Sequence, residues 1–319
     1  MSKKPILTAA EAASWVEDGV TISTSGFVAS QMPEALNKAL EQRFLETGSP
    51  KNLTLFYAAA QGNRDGSGAD HFAHEGMLKR VVGGHYNMVP ELGKLIIANK
   101  LEAYNLPQGT LSQLFRDVAA HKLGTLTHVG LNTFADPRIE GGKLNSVTTE
   151  DIVEVVEVLG QERLLYKAIP VDIAFIRGSI ADENGNVTLE HECCTNEATS
   201  IAQAAKNSGG KVIVQVEKVV QAGSVDPKLV KIPGVYVDAL VVCDSKEDHA
   251  QCQGCEYDGS MTGDFRVPLG SLEYPPMSAK KIIGRRAAME LEPNKVVNLG
   301  IGIPEYISMV ANEEGIGDY

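Results

Sequence analysis

The sequence predicts an α/β protein in which an open, mostly parallel sheet is covered by helices on both faces. Three observations support this class: short β-branched strands alternate with amphipathic helices, glycine turns follow several strands, and a strand–turn–helix pattern occurs twice. The repeat aligns residues 11–27 with residues 286–302. We therefore expect a first α/β domain over residues 1–277, with a polar linker from about residue 243, and the truncated start of a second, related α/β domain over residues 278–319.

Local sequence signals predict the helices and strands of the first domain. Thr8 with Glu11 three residues later forms a capping-box pattern for a helix reaching Val16, and residues 20–24 favour a strand that runs into the turn Ser25-Gly26-Phe27. Further helices are predicted at 33–45, 90–99, 110–120 and 199–206. Further strands are predicted at 53–57, 79–85, 101–106, 163–168, 172–176, 187–189, 211–216 and, as two short pieces, within 232–242.

The second repeat centres on residues 295–305, which we interpret as a buried strand, a glycine turn and a helix. Val296 and Val297 favour a strand, and Gly300 and Gly302 allow backbone N–H groups to approach a ligand closely. Free N–H groups at such a turn bind anions. The pattern therefore predicts a site for a phosphorylated or acylated ligand.

Charge and hydropathy narrow the classes of function. The net charge of −12 argues against non-specific binding to nucleic acid or to an anionic membrane, although a local phosphate pocket remains possible. The basic face of the helix at 278–291 favours a solvated surface over such a pocket. Because no charged-then-apolar leader and no run of 18 apolar residues occur, we expect a cytoplasmic protein without a membrane partner.

Metal binding is not expected. The five cysteines include the pairs Cys193-Cys194 and Cys252/Cys255, which suit a metal or redox site, but the supply of ligands is thin and free structural thiols are favoured. His71 and His74 lie three positions apart without a zinc-protease order, so a solvated or capping role is favoured for them.

Two segments after predicted strands are candidate ligand sites. The polar, glycine-rich residues 61–70 fit a ligand loop and a flexible surface loop equally well. Gln108 follows a strand and precedes a helix, where its amide can donate to a substrate carboxylate or stabilise the turn. The sequence does not choose between these alternatives.

Four stretches look like the landmarks of one family and occur in the same order as in that family: 107–111, 181–186, 232–238 and 297–304. Through them the sequence resembles family I coenzyme A transferases, most closely the single-chain acetate or propionate type. The resemblance covers essentially the whole chain. It implies transfer of coenzyme A between short carboxylic acids by a ping-pong route through a glutamyl-CoA thioester. Coenzyme A and acyl-CoA would then be substrates, with short carboxylic acids as partners and no permanently bound cofactor.

The resemblance also assigns roles to residues. Gln108 would position the substrate carboxylate, and Gly26 and Phe27 would line the acyl site. A backbone stretch of the second repeat would lie near the coenzyme A arm or the thioester: Gly300, Ile301 and Gly302.

One departure from the family is large. The nucleophilic glutamate of the family lies in a Glu-x-Gly stretch after the second glycine turn, and this chain stops at Tyr319 before such a stretch; Glu313 and Glu314 match an ordinary helix end. We expect a chain that is inactive alone and that forms a homo-oligomer or needs the C-terminal part of the enzyme. The alternative is a non-catalytic ligand-binding or regulatory module of the same superfold.

Overall fold

The computed structural model describes residues 3–252 and 254–317, and in this part it contains eight α-helices and fifteen strands. The helices are α1 Ala9–Ser14, α2 Glu34–Thr47, α3 Pro90–Ile97, α4 Gln108–Ala119, α5 Ala198–Asn207, α6 Gly259–Thr262, α7 Ala279–Ala288 and α8 Glu305–Glu313. The strands are β1 Ile6–Leu7, β2 Thr21–Thr24, β3 Leu53–Phe56, β4 Leu78–Gly83, β5 Glu102–Asn105, β6 Gly124–Thr127, β7 Val153–Val158, β8 Gln161–Lys167, β9 Ile173–Arg177, β10 Ile180–Asp182, β11 Val187–Thr188, β12 Lys211–Val216, β13 Lys218–Val220, β14 Val230–Ile232 and β15 Ala239–Val242.

The chain divides into two compact units, residues 1–262 and residues 263–319. The boundary that the sequence suggested, between residues 277 and 278, stays a prediction.

The first unit is built on an eight-stranded sheet with the order β1-β15-β12-β9-β2-β3-β4-β5. Every neighbouring pair in this sheet is parallel. A four-stranded sheet, β13-β10-β11-β14, and a three-stranded antiparallel sheet, β6-β8-β7, flank it. The predicted α/β class and mostly parallel sheet are confirmed.

Hydrophobic residues cover both faces of the large sheet because side chains alternate along each strand. In β9, Ala174 and Ile176 join a core that also contains residues of α4 and α5, whereas Ile173 and Phe175 join a core that contains residues of α1, α2 and α3. This two-sided burial explains why the strands read as continuous apolar runs.

The capping-box signal for the first helix is confirmed. Thr8 caps α1 in a capping box with Glu11, and β10 and β11 pair antiparallel around Asn184-Gly185. Helix α4 begins at Gln108, two residues earlier than predicted. Strand β7, which the sequence left unassigned, forms by pairing with β8 along its whole length.

In the second unit the predicted strand before the glycine turn is wrong. Val296 is fully exposed and Val297 is half-exposed, and no strand occurs in the described residues 263–317. A strand needs a neighbour to satisfy its backbone N–H and C=O groups, and none is present in that range. The helix that follows the turn is confirmed as α8.

Candidate functional site

The order of strands in the large sheet defines where a ligand site is expected. From β2 the chain continues outward through β3, β4 and β5, and from the adjacent β9 it continues in the opposite direction through β12 and β15. Parallel α/β sheets bind ligands in the crevice that opens beyond the carboxyl ends of strands at such a switch point.

A cleft of about 440 Å³ lies beside this switch point. It is bounded by the segment after β2, the first turns of α2, the end of β9, the 61–70 loop and the segment 246–256. Its lining residues are Ala29, Met32, Glu34, Lys38, Asp65, Ser67, Arg177, Lys246, Glu247, Asp248, Ala250, Cys252, Gly254, Cys255 and Glu256. The lining is strongly charged, with Lys38 paired to Asp248 and Lys246 paired to Glu256.

The turn after β2 is held by the first residue of the 61–70 loop. Gln61 is buried, and its amide donates to the Thr24 carbonyl at 2.6 Å and accepts from the Thr24 hydroxyl. Gly26 adopts a φ of +131°, and a Cβ there would lie 3.2 Å from the Ser30 carbonyl oxygen. Only glycine fits this turn without strain. Phe27, which follows it, is 40% exposed.

Gln108 is the first residue of α4 and is half-buried. Its Cβ packs over Gly84, the residue after β4. A Cβ added to Gly84 would lie only 2.8 Å from the Cβ of Gln108. The side-chain amide makes no hydrogen bond to another residue in 3–252 or 254–317, and no side chain caps the start of α4. The amide and the first N–H groups of α4 are therefore available to a ligand.

The predicted site residues of the first unit all follow the carboxyl ends of strands in the large sheet, but they do not line the cleft. Gly26 and Phe27 follow β2 and Gln108 follows β5, three strands away, which corresponds to about 14 Å across the sheet. In the second unit, Gly302 has a φ of +96° and Ile301 is 90% exposed. The roles of Gly300, Ile301 and Gly302 stay predictions.

A buried charge pair that the sequence did not predict lies at the base of the cleft. Arg177, at the end of β9, donates from Nε to Glu192 Oε1 at 3.0 Å and from a terminal nitrogen to the Ala250 carbonyl. Both side chains are almost inaccessible. Burial raises the pKa of Glu192 against the opposing effect of the guanidinium. Since the partners lie 15 residues apart, with β10 and β11 between them, no periodic pattern in the sequence marks the pair.

His249 lies in the same buried region. Gln215 donates to His249 Nδ1 at 3.0 Å, which identifies that nitrogen as an acceptor and the ring as neutral. Burial, followed by the nearby charge of Arg177, lowers the pKa of His249 to about 3. The ring therefore stays uncharged at neutral pH.

His71 and His74 contact the carboxylates of α2. His71 bonds Glu34 and Glu41, and His74 bonds Glu41, each at 2.6 Å. His71 is buried, so the solvated role suggested for it is wrong: tertiary packing of the 68–72 turn against α2 covers the ring. Over the described residues, no group of three or more His, Cys, Asp or Glu side chains is arranged to hold a metal ion.

Within residues 3–252 and 254–317, no helix combines the length and the apolar character needed to cross a bilayer.

The chain belongs to the coenzyme A transferase family, since the family model for coenzyme A transferase matches residues 6–243. It is 42% identical over 309 residues to a caffeate CoA-transferase of Acetobacterium woodii, covering 97% of this chain and 59% of that protein. It is 39% identical over 316 residues to the acetate CoA-transferase YdiF of Escherichia coli K12, covering 98% of this chain and 59% of that protein.

Solved structures agree with this assignment. The crystal structure of the acyl-CoA transferase YdiF apoenzyme from Escherichia coli O157:H7 superposes with a TM-score of 0.93 at 38% identity, covering 99% of this chain and 60% of that one. A YdiF structure described as a thioester complex with CoA gives a TM-score of 0.92. The chain thus spans about three-fifths of the length of these relatives.

Proposed function

We propose that this protein takes part in transferring coenzyme A between short carboxylic acids such as acetate and propionate. Membership of the coenzyme A transferase family supports the reaction class, and the similar acetate CoA-transferase supports the acid. The observation that carries the proposal is the uncommitted amide of Gln108 beside the uncapped start of α4, at the carboxyl edge of the parallel sheet.

The proposed route is ping-pong. A glutamate outside the 319 residues of this chain attacks the acyl-CoA carbonyl, forming an acyl–glutamyl anhydride and releasing the coenzyme A thiolate. The thiolate then attacks the glutamyl carbonyl, which forms the glutamyl-CoA thioester and releases the first carboxylate. A second carboxylate reverses both steps and leaves as the new acyl-CoA.

Gln108 has a defined task in this route. A carboxylate exchanging through an anhydride carries negative charge that shifts between oxygens, and preorganised N–H donors stabilise it without needing a counter-charge. The amide of Gln108 and the first N–H groups of α4 supply such donors. Gly26 and Phe27 would border the acyl group, and Gly300, Ile301 and Gly302 would lie near the thioester or the coenzyme A arm.

Intact mass measured after incubation with acetyl-CoA tests this proposal. The protein from its native source is expected to gain a coenzyme A adduct that borohydride reduces, and to exchange labelled acetate into acetyl-CoA. The 319-residue chain alone is the matched control and is expected to gain no adduct. An adduct on neither sample, with no exchange, would contradict the proposal.

The second candidate is a non-catalytic acyl-CoA-binding or regulatory module. Saturable binding of acetyl-CoA by the native protein without exchange of acetate would favour it. We further propose that the protein works in the cytoplasm, as a homo-oligomer or together with the C-terminal part of the enzyme; sedimentation of the native protein tests the association.

A further inference from the structure

Four of the five cysteines gather around Ser30, close to the turn after β2. Cys194 Sγ lies 3.7 Å from Ser30 Oγ, and Cys193 Sγ lies 3.9 Å from Cys194 Sγ. Cys252 forms an isolated antiparallel bridge with Ser30 and another with Cys255. The sequence favoured structural thiols, but all four side chains are only partly buried, and Cys252 and Cys255 line the cleft.

The backbone pairing of Cys252 with Cys255 brings the two residues close enough for a disulfide. The Cys255 N–H donates to the Cys252 carbonyl at 3.0 Å and the Cys252 N–H donates to the Cys255 carbonyl at 3.3 Å. Residues that exchange both bonds have Cα atoms about 5.5 Å apart. That separation falls within the disulfide range of about 4.4–6.8 Å.

Two further features single out this pair. Gly254 adopts a φ of +76°, a left-handed conformation that glycine takes up without strain. Cys193 and Cys194, in contrast, are sequence neighbours with Cα atoms about 3.8 Å apart, too close for an unstrained disulfide. Cys252 and Cys255 also line the cleft, so small molecules can reach them.

We propose that Cys252 and Cys255 form a redox-active dithiol that is oxidised to an intramolecular disulfide by the disulfide of a low-molecular-weight thiol. One cysteine thiolate attacks the small disulfide, breaking its S–S bond, forming a mixed disulfide and releasing one small thiolate. The second cysteine attacks the mixed disulfide and releases the other small thiolate. The protein loses two S–H hydrogens as protons, which the released thiolates take up, and two electrons reduce the oxidant.

The disulfide would act on the turn that contains Phe27. Ser30, which pairs with Cys252, also exchanges two backbone hydrogen bonds of 3.0 Å with Phe27. Closing the ring fixes Cys252 and, through Ser30, restrains the segment from Phe27 to Ser30. Oxidation of the two cysteines is thereby coupled to the turn for which we proposed an acyl-binding role. The formation of the disulfide itself does not depend on that proposed role.

Thiol titration of the 319-residue chain tests the pair. The chain is incubated with glutathione disulfide, denatured in acid and titrated for free thiols, with peptide mapping of any cross-link. Two of the five thiols are expected to disappear, the mass to fall by two hydrogens, and the cross-link to join Cys252 to Cys255. Under the same treatment Cys252→Ser and Cys255→Ser should form no intramolecular cross-link, whereas the control Cys243→Ser should still lose two thiols.

Three results would overturn the proposal: retention of all five thiols, a cross-link that maps to Cys193 or Cys194, or a glutathione adduct that never resolves. Hydrogen exchange of the Phe27 and Ser30 amides supplies a second readout. Exchange is expected to slow in the oxidised chain and to be unchanged in Cys255→Ser. Equal exchange in the oxidised and reduced chain would overturn the coupling to the turn.

Discussion

His71 and Glu34 form a buried ion pair in which ring Nε2 lies 2.6 Å from Oε1. The other ring nitrogen lies 2.6 Å from a Glu41 oxygen. A neutral imidazole carries only one N–H, so two bonds to carboxylates require the imidazolium form. Burial alone would lower the pKa of His71, but the bonds to Glu34 and Glu41 outweigh burial, and the pKa lies above its ordinary value.

This pair predicts that stability falls on the alkaline side. Because the pKa of His71 is raised in the folded state, its contribution is fully present below the unfolded pKa of about 6.5 and is lost as the pH rises through the folded pKa. The free energy of unfolding, measured by urea denaturation between pH 6 and pH 9, tests whether stability falls as the pH rises. His71→Gln should reduce stability by about 2–3 kcal/mol at pH 6 and flatten the profile.

His74→Gln is the matched control for that variant. His74 bonds the same Glu41 but its side chain is 29% exposed, so solvent replaces much of the interaction. Its effect at pH 6 should be the smaller of the two. A profile that keeps its alkaline slope in His71→Gln would contradict the assignment of the slope to His71.

Gly26→Ala is expected to destabilise the turn after β2. The added Cβ would meet the Ser30 and Gln31 carbonyl oxygens at 3.2 Å, and the φ of +131° is strained for any residue with a side chain. We expect a loss of about 1–3 kcal/mol in the free energy of unfolding. Gly19→Ala, at a φ of +78° with nothing near the added Cβ, should lose less; equal losses would show that crowding plays no part.

Gln108→Ala is expected to lower acetate–acetyl-CoA exchange by about 10²–10³-fold in the active enzyme, because one donor to the developing charge is removed. Unfolding free energy should stay within about 0.5 kcal/mol, since the amide bonds no other described residue. Gln113→Ala is the control on the same helix: its amide donates to Asp117, so exchange should be unaffected. Unchanged exchange in Gln108→Ala would remove Gln108 from the mechanism.

Arg177→Met is expected to cost about 3–5 kcal/mol, because it leaves Glu192 buried without its partner. The double variant Arg177→Met/Glu192→Gln should recover part of that loss, since it buries no uncompensated charge. Lys94→Met, which breaks an exposed pair with Glu91, should cost less than about 1 kcal/mol. Chemical denaturation of wild type, Arg177→Met, Glu192→Gln and the double variant measures the coupling between the two residues as a double-mutant cycle.

Much of the first unit was predictable because its signals are local. Continuous apolar runs predicted β9 and β12, and the Thr8–Glu11 capping box predicted the start of α1. β7 was not assigned, because its pairing with β8 rather than its own pattern makes it a strand. The strand predicted around Val296 failed for the opposite reason: the pattern is present, but no neighbouring strand lies within the described part of its unit.

The site was less predictable because its contacts join distant segments. Gln108 stood out through its place between a strand and a helix, but the bond from Gln61 to Thr24 and the pairing of Ser30 with Cys252 depend on how the sheet brings loops together. His71 shows the same limit, since the carboxylates that bind it lie 30 and 37 residues earlier in the chain.

The pairing of β1 with β15 makes synthesis and folding of the first unit interdependent. Ile6 and Leu7 precede their partners Leu240 and Val241 by more than two hundred residues in the chain. Strand β1 therefore stays unpaired in the nascent chain until the unit is almost fully made, and closing so long a loop slows the last step of folding. A circular permutant in which β1 directly follows β15 would shorten the loop between the two strands. It should fold faster without changing the sheet.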